Sequence, residues 1–242
     1  MTTSDSSGSA ATAERPVVTV DVFSDVVCPW CYIGKRRFER GLELARADGD
    51  LGVDFEIGYR PHQLDPTAAP GVASPVVEAY AKKFGGMAKA EEIIDHVTTT
   101  AAAEGLDFHM ERALRANTLL AHRLIWRAGR AGSPVPQDAV KERLLQAYFV
   151  DGVNIGDPDA LADTLVEVGI DRDETLAFLD SDEGLAEVED ELRDGYENGI
   201  TAVPTYVFDR AWAVPGAQDA ETFATVLRKM AAKALERAAA AD

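Results

Sequence analysis

The chain has 242 residues, 46% of them hydrophobic, and 42 acidic against 24 basic side chains give a formal net charge of -18. That is ample apolar material for a buried core, and a charge that repels nucleic-acid phosphates and anionic membrane surfaces, so neither is expected as a partner. Residues 1–15, MTTSDSSGSAATAER, lack the basic start and apolar run of a signal peptide and read as a disordered tail. No later stretch reaches the roughly 18 apolar residues of a membrane span, and the expected compartment is the cytoplasm.

In chain order, Val17–Phe23 (VVTVDVF) is a β-branched run that predicts a buried strand. A helix is predicted from near Cys28, with Ile33, Phe38, Leu42 and Leu44 at helical spacing and Gly49 as its stop. Val53–Tyr59 alternates Val53, Phe55 and Ile57 with Asp54, Glu56 and Gly58, the period of a second strand. Together these make a β-α-β unit with parallel strands. From Pro61 to Gly199 the patterns are helical throughout. Ser74-Pro75 and Asp157-Pro158 read as helix starts, and Asp171 with Glu174 as a capping box. Further helices are predicted over Ala88–Ala103, Asn117–Ala131, Asp138–Phe149 and Leu185–Tyr196. Strand character returns in Thr205–Phe208 and Trp212–Val214, joined by the turn Asp209-Arg210. A last amphipathic helix carries Phe223, Val226, Leu227 and Met230, with a fraying end at ALERAAAAD.

The fold expected is therefore α/β: a discontinuous domain of residues 16–60 and 200–240, interrupted by a helical subdomain over 61–199. Neither strand-bearing segment can form a stable sheet alone, so the two must meet in space. The insertion leaves after the second strand and returns just before Pro204, which predicts a lid over whatever site the sheet carries.

The only two cysteines are Cys28 and Cys31, flanking Pro29 and Trp30 where the first strand gives way to the first helix. A thiol attacks a disulfide as thiolate, and the free N–H groups and dipole at a helix start favour that anion. Pro29 suits the first turn, and Cys31 lies three residues on, on the same face. The roles expected are Cys28 as nucleophile and Cys31 as resolving thiol. A structural bridge across so short a loop adds only about 2 kcal/mol. A zinc site needs about four ligands, whereas the chain offers no third cysteine, and His62, His96, His109 and His122 show no paired spacing. No metal and no cofactor are expected.

With these residues in view, the chain resembles the thioredoxin superfamily, within it the DsbA-like branch with a helical insertion, and there the FrnE-type oxidoreductases. The likeness is carried by DVVCPWCYIGKRRFE, RPHQLDP, NTLLAHRL, AYFVDGVNIGD and GITAVPTYVFDRAWAVPGAQ. It implies a thioredoxin-like fold and a disulfide oxidoreductase acting on a protein or small-molecule thiol or disulfide, with the redox partner left open. It also implies a cis Pro204 beside the cysteine pair, presenting the Val203 backbone to substrate. Asn117 and His122 correspond to an insertion that lines a substrate pocket in related isomerases and kappa-type glutathione transferases, which implies a substrate-binding role, though the residues themselves favour an ordinary helix with Asn117 near its cap and His122 satisfied in a core. His62 reads as a surface residue, and Trp126, Tyr148 and Phe149 as packing. DsbA carries histidine where Trp30 stands, so Cys28 is expected to be less acidified, and the pair less oxidising, than in DsbA. The competing function is a glutathione-dependent transferase or a 2-hydroxychromene-2-carboxylate isomerase-like enzyme. Relatives of that kind usually have serine for the first cysteine and lack the second.

Overall fold

The structure is a computed structural model that describes residues 15–241. The tail expected over 1–15 lies outside the described residues except for Arg15, whose guanidinium meets Asp50 at 2.6 Å. Strand β1, Val17–Ser24, alternates half-exposed and buried side chains and pairs in parallel with β2, Asp54–Pro61. Helix α1, Pro29–Arg46, makes the crossover between them. Strands β5, Thr205–Phe208, and β6, Trp212–Pro215, complete an antiparallel hairpin on the other edge of β1, giving the sheet order β2-β1-β5-β6. Asp209 and Arg210 turn that hairpin at φ 48° and 54°, and the Ala211 N–H closes it on the Phe208 carbonyl at 2.9 Å. The last helix, α9, Ala220–Ala239, starts on the Asp219 side chain and runs regularly through most of the segment expected to fray; Asp242 is outside the described residues.

Helices α1 and α9 cover one face of the sheet. Phe38, Tyr206 and Phe223 meet there with ring centroids 4.7 to 5.3 Å apart. The approach is close because Gly41 leaves room: a Cβ at that position would stand 2.6 Å from Phe223 Cβ and 3.0 Å from the Ala220 carbonyl oxygen.

The insertion comprises α2 (Val76–Phe84), α3 (Met87–Ala103), α4 (Leu119–Ala128), α5 (Gln137–Gln146), a π-helical turn (Ala147–Asp151), α6 (Pro158–Val166), α7 (Arg172–Asp180) and α8 (Leu185–Glu197). Of these, α4, α5 and α8 pack against β2. Asp157 caps α6 through the Asp159 and Ala160 N–H groups, and Asp171 caps α7 through the Glu174 N–H at 2.9 Å, the forward half of the expected box. Ser74-Pro75 differs from its expectation. Pro75 is extended (φ -53°, ψ 132°) and the dipeptide forms strand β3, paired with β4, Leu114–Arg115. The Val76 N–H, an orphan in a helix first turn, is taken by the Ala113 carbonyl at 2.9 Å, so this helix needs no side-chain cap. Among the described residues the insertion is thus helices and connecting loops with one two-residue ladder. Ile57 also departs from the alternation: it is 37% exposed, because β2 is an edge strand and α5 reaches its main chain only further along, where Gln137 bonds both the N–H and the carbonyl of Tyr59.

Candidate active site

The sequence places both cysteines at one point for local reasons. Strand β1 is apolar and ends at Ser24; Asp25 then turns the chain, its Oδ1 accepting from the Val26 N–H at 2.8 Å. Cys28 is the N-cap, extended at φ -89° and ψ 113°, with Pro29 in the first turn where a missing N–H costs nothing. The Cys31 N–H donates to the Cys28 carbonyl at 3.0 Å. Both thiols are free and buried, each 3% exposed.

The Val203-Pro204 peptide is cis. Cys28 Sγ donates to the Val203 carbonyl at 3.7 Å, so the loop ahead of β5 lies directly against the first sulfur. The Pro204 carbonyl accepts from Gly216 at 2.7 Å, and Thr205 Oγ1 donates to the Ala202 carbonyl at 2.8 Å. Gly34 allows this approach: a Cβ there would stand 2.9 Å from Tyr206 Oη and 3.0 Å from Pro204 Cγ. Glycine inside a helix costs about 1 kcal/mol against alanine, which was the available sequence signal that something presses on that face.

Electrostatics beneath the pair centre on Asp25, which is fully buried. Its Oδ2 accepts from the Leu64 N–H at 2.8 Å, and His122 Nε2 lies 3.2 Å from its Oδ1 and 3.1 Å from the His62 carbonyl. Both neighbours of that nitrogen are acceptors, so it carries a proton. Burial alone would raise the Asp25 carboxyl, but the hydrogen bond and charge of His122, the Leu64 N–H and the charge of Lys141 outweigh it and hold the group below its ordinary range. The Cys28 thiol is pushed up, first by its hydrogen bond with Cys31, then by burial and by the Cys31 charge; the Cys31 backbone N–H works the other way. The helix-start acidification expected from sequence is therefore outweighed in the dithiol, where two buried sulfurs share one neighbourhood.

Cys28, Pro29, Trp30 and Val203 line one wall of a cleft of about 900 Å³, and α2 and α3 form its roof through Tyr80, Phe84 and Val97. Of the insertion's α-helices, α2 and α3 are the ones that border the cleft. Trp30 reaches His96 of α3 at a centroid distance of 5.8 Å. Its other residues include Lys82, Lys83 and Arg115 against Asp65 and Glu78, three basic groups to two acidic ones in a strongly acidic protein. Tyr148 also lines it, while Phe149 is core. Trp126 is half-buried against Gly184.

Asn117 and His122 are not in the cleft. Asn117 accepts from the Leu119 N–H at 2.9 Å and donates to the Ala68 carbonyl at 2.7 Å, ahead of a helix that begins at Leu119 rather than Asn117. His122, 2% exposed, is spent on Asp25. These are the cap and core roles, and they correct the pocket role that resemblance implied. His62 is buried beside Tyr196 rather than on the surface, and burial pushes its pKa down. Sequence reasoning had passed over Asp25, although a carboxylate between a buried strand and a helix start is a signal for such a role. Among the described residues no group of three or more His, Cys, Asp or Glu side chains gathers as a metal site, and no helix is long and apolar enough to cross a membrane.

Residues 19–228 match the family model of the DSBA-like thioredoxin domain, and the chain belongs to that family. A probable DsbA oxidoreductase from Streptomyces coelicolor is 32% identical, with 88% of this chain and 89% of that one covered and a TM-score of 0.78. The uncharacterized protein YwbO of Bacillus subtilis (strain 168) is 28% identical over 221 residues, 85% of this chain and 94% of its own. A 2-hydroxychromene-2-carboxylate isomerase, 15% identical with a TM-score of 0.61 over 93% of this chain and 99% of that one, shares the fold.

Proposed function

We propose that this protein is a cytoplasmic, FrnE-like thiol-disulfide oxidoreductase in which Cys28 attacks and Cys31 resolves. The observation that carries this reading is the Cys28 sulfur at a helix N-cap, opening on a cleft and 3.7 Å from the Val203 carbonyl. The Cys28 thiolate attacks a substrate disulfide; the S–S bond breaks, one substrate sulfur leaves and takes a proton, and a mixed disulfide forms. Cys31 gives up its proton and attacks Cys28 Sγ, releasing the second substrate thiol and leaving the pair oxidised by two electrons. Run backwards, the same steps oxidise a substrate dithiol, and a separate thiol or disulfide partner resets the pair. The Val203 backbone and cis Pro204 border the substrate sulfur in this scheme.

The nearly covered sulfur and the net positive, largely apolar cleft favour a small thiol compound or a flexible peptide segment over a rigid protein surface. The isomerase alternative is disfavoured by the presence of both thiols. Replacing Cys31 by serine tests the assignment: the variant is expected to accumulate a mixed disulfide on Cys28 that the wild type clears. Accumulation on Cys31 in the Cys28→Ser protein instead would reverse the roles.

A further inference from the structure

The segment AYFVDGVNIGD has no part in the exchange scheme, although it supplies one wall residue of the cleft. Val140, Leu144 and Tyr148 recur at helical spacing along one buried face of α5 and its continuation. At Ala147 the helix widens into the π-helical turn, closed by the Gly152 N–H on the Ala147 carbonyl, a local form frequent at functional sites. Tyr148 is 1% exposed, its ring edge-on to Phe149 at 4.7 Å. No group among the described residues bonds its hydroxyl, yet that oxygen is not sealed in as the partnerless Tyr206 Oη is. The open space that Tyr148 borders is the cleft, where Cys28 and Val203 stand with it. Packing alone does not call for a phenol here. Phe149, its neighbour, is fully buried and shows what this core accepts, and an enclosed hydroxyl without a partner is destabilising.

We infer that the Tyr148 hydroxyl is a substrate-binding group: it donates to the carbonyl of a cysteine-derived disulfide seated against Cys28, and so selects disulfides carrying that acceptor over plain dialkyl ones. The inference rests on the exchange reaction proposed above. Of the cleft's charged groups, Arg115 and Asp65 bond each other at 2.6 Å, and Glu78, Lys82 and Lys83 are exposed. Thr67 is also spent on Asp65, at 2.6 Å. Tyr148 is the enclosed hydroxyl of the cleft that the fold leaves free. Burial pushes its pKa well up, so it keeps its proton and remains a donor at neutral pH. In a cysteine-derived disulfide the carbonyl carbon lies three bonds from the sulfur. A substrate sulfur held against Cys28 therefore brings a carbonyl into the cleft that Tyr148 borders. A dialkyl disulfide brings no acceptor and leaves the hydroxyl desolvated and unpaired, which is how a site of this kind rejects an analogue.

Tyr148→Phe removes the hydroxyl and keeps the ring. The reduced full-length protein is oxidised by either of two uncharged disulfides: that of N-acetylcysteine N-methylamide, which carries carbonyls, and diethyl disulfide, which has none. Each takes two electrons and two protons from the dithiol and leaves as two thiols, and quenching with mass labelling gives the second-order rates. Comparing the ratio of the two rates between wild type and variant cancels their difference in intrinsic reactivity. That ratio should fall about tenfold in Tyr148→Phe, as for losing one hydrogen bond to an enclosed partner. An unchanged ratio would overturn the inference, because a packing role does not distinguish the two substrates. Urea unfolding is the second readout. A free hydroxyl adds no bond to the unliganded fold, so Tyr148→Phe should unfold at the wild-type urea concentration or higher. A lower midpoint would show the hydroxyl bonded within the fold and would also overturn the inference. A wild type that reacts with neither disulfide would instead overturn the proposed function, and this inference with it.

Discussion

Two glycines on α1 make opposite demands, and replacing each by alanine separates the packing of the fold from the geometry of the site. In a helix interior Gly→Ala gains about 1 kcal/mol of propensity, so any loss must come from contact. At Gly41 the new methyl would meet Phe223 Cβ at 2.6 Å and the Ala220 carbonyl oxygen at 3.0 Å. A backbone oxygen cannot swing aside, and overpacking of this kind costs about 1–3 kcal/mol; at the upper end the net loss is about 2 kcal/mol. At Gly34 the contacts are Tyr206 Oη at 2.9 Å and Pro204 Cγ at 3.0 Å, looser by a few tenths of an ångström, so the net loss is about 1 kcal/mol or less. The functional order is reversed. Gly34→Ala pushes Pro204 and Val203 away from Cys28 and should slow mixed-disulfide formation about tenfold or more, since misplacement by 1 Å can cost ~100-fold. Gly41→Ala should leave that rate near wild type. Urea unfolding gives the stabilities and stopped-flow exchange with an aromatic disulfide gives the rates. A stabilised Gly41→Ala, or a Gly34→Ala protein with unchanged exchange rate, would refute the close approach of α1 to these elements.

Removing the Cys31 sulfur, the largest upward influence on the Cys28 thiol, should lower the pH midpoint for Cys28 alkylation in Cys31→Ala; an equal or higher midpoint contradicts that cause. Trp30→His adds a donor beside the Cys28 thiolate, and a charge-assisted bond of about 1.5–3 kcal/mol should raise the reduction potential by about 30–60 mV. A lower Cys28 pKa without that rise would show that the disulfide form is stabilised as well. Asp25→Asn should cost roughly 3 kcal/mol at neutral pH by breaking the buried contact with His122. Because the folded Asp25 pKa is depressed, that contribution is present above about pH 4 and lost as pH falls through the lower folded value. A difference between wild type and Asp25→Asn that persists undiminished into strong acid would contradict the assignment.

The strand before Cys28, the helix after it and the hairpin at Asp209-Arg210 were legible because each combines a period with a local signal: β-branched alternation, a proline in the first turn, a tight polar turn. What escaped was what periodicity does not encode. The Ser74-Pro75 ladder is two residues long, too short for any alternation, and its partner Leu114–Arg115 is forty residues away. The helix predicted over Asp138–Phe149 ends instead at Gln146 and continues as a π-turn through Asp151. At the site, Cys28 and Cys31 declared themselves by spacing and context. Asp25 did not, because a charged residue read from sequence defaults to the surface, and only the packed structure shows it enclosed and bonded to His122. Asn117 and His122 erred the other way: resemblance suggested a pocket, while local hydrogen bonds hold both in the scaffold.

The most direct test of the central claim is an equilibrium redox titration of the full-length protein in thiol-disulfide buffers, with the state of each cysteine read by mass labelling. A reversible, two-electron interconversion between free thiols and an intramolecular Cys28–Cys31 disulfide, lost in both single cysteine variants, is the result expected. Two thiols that remain free and label independently across the whole range would contradict it.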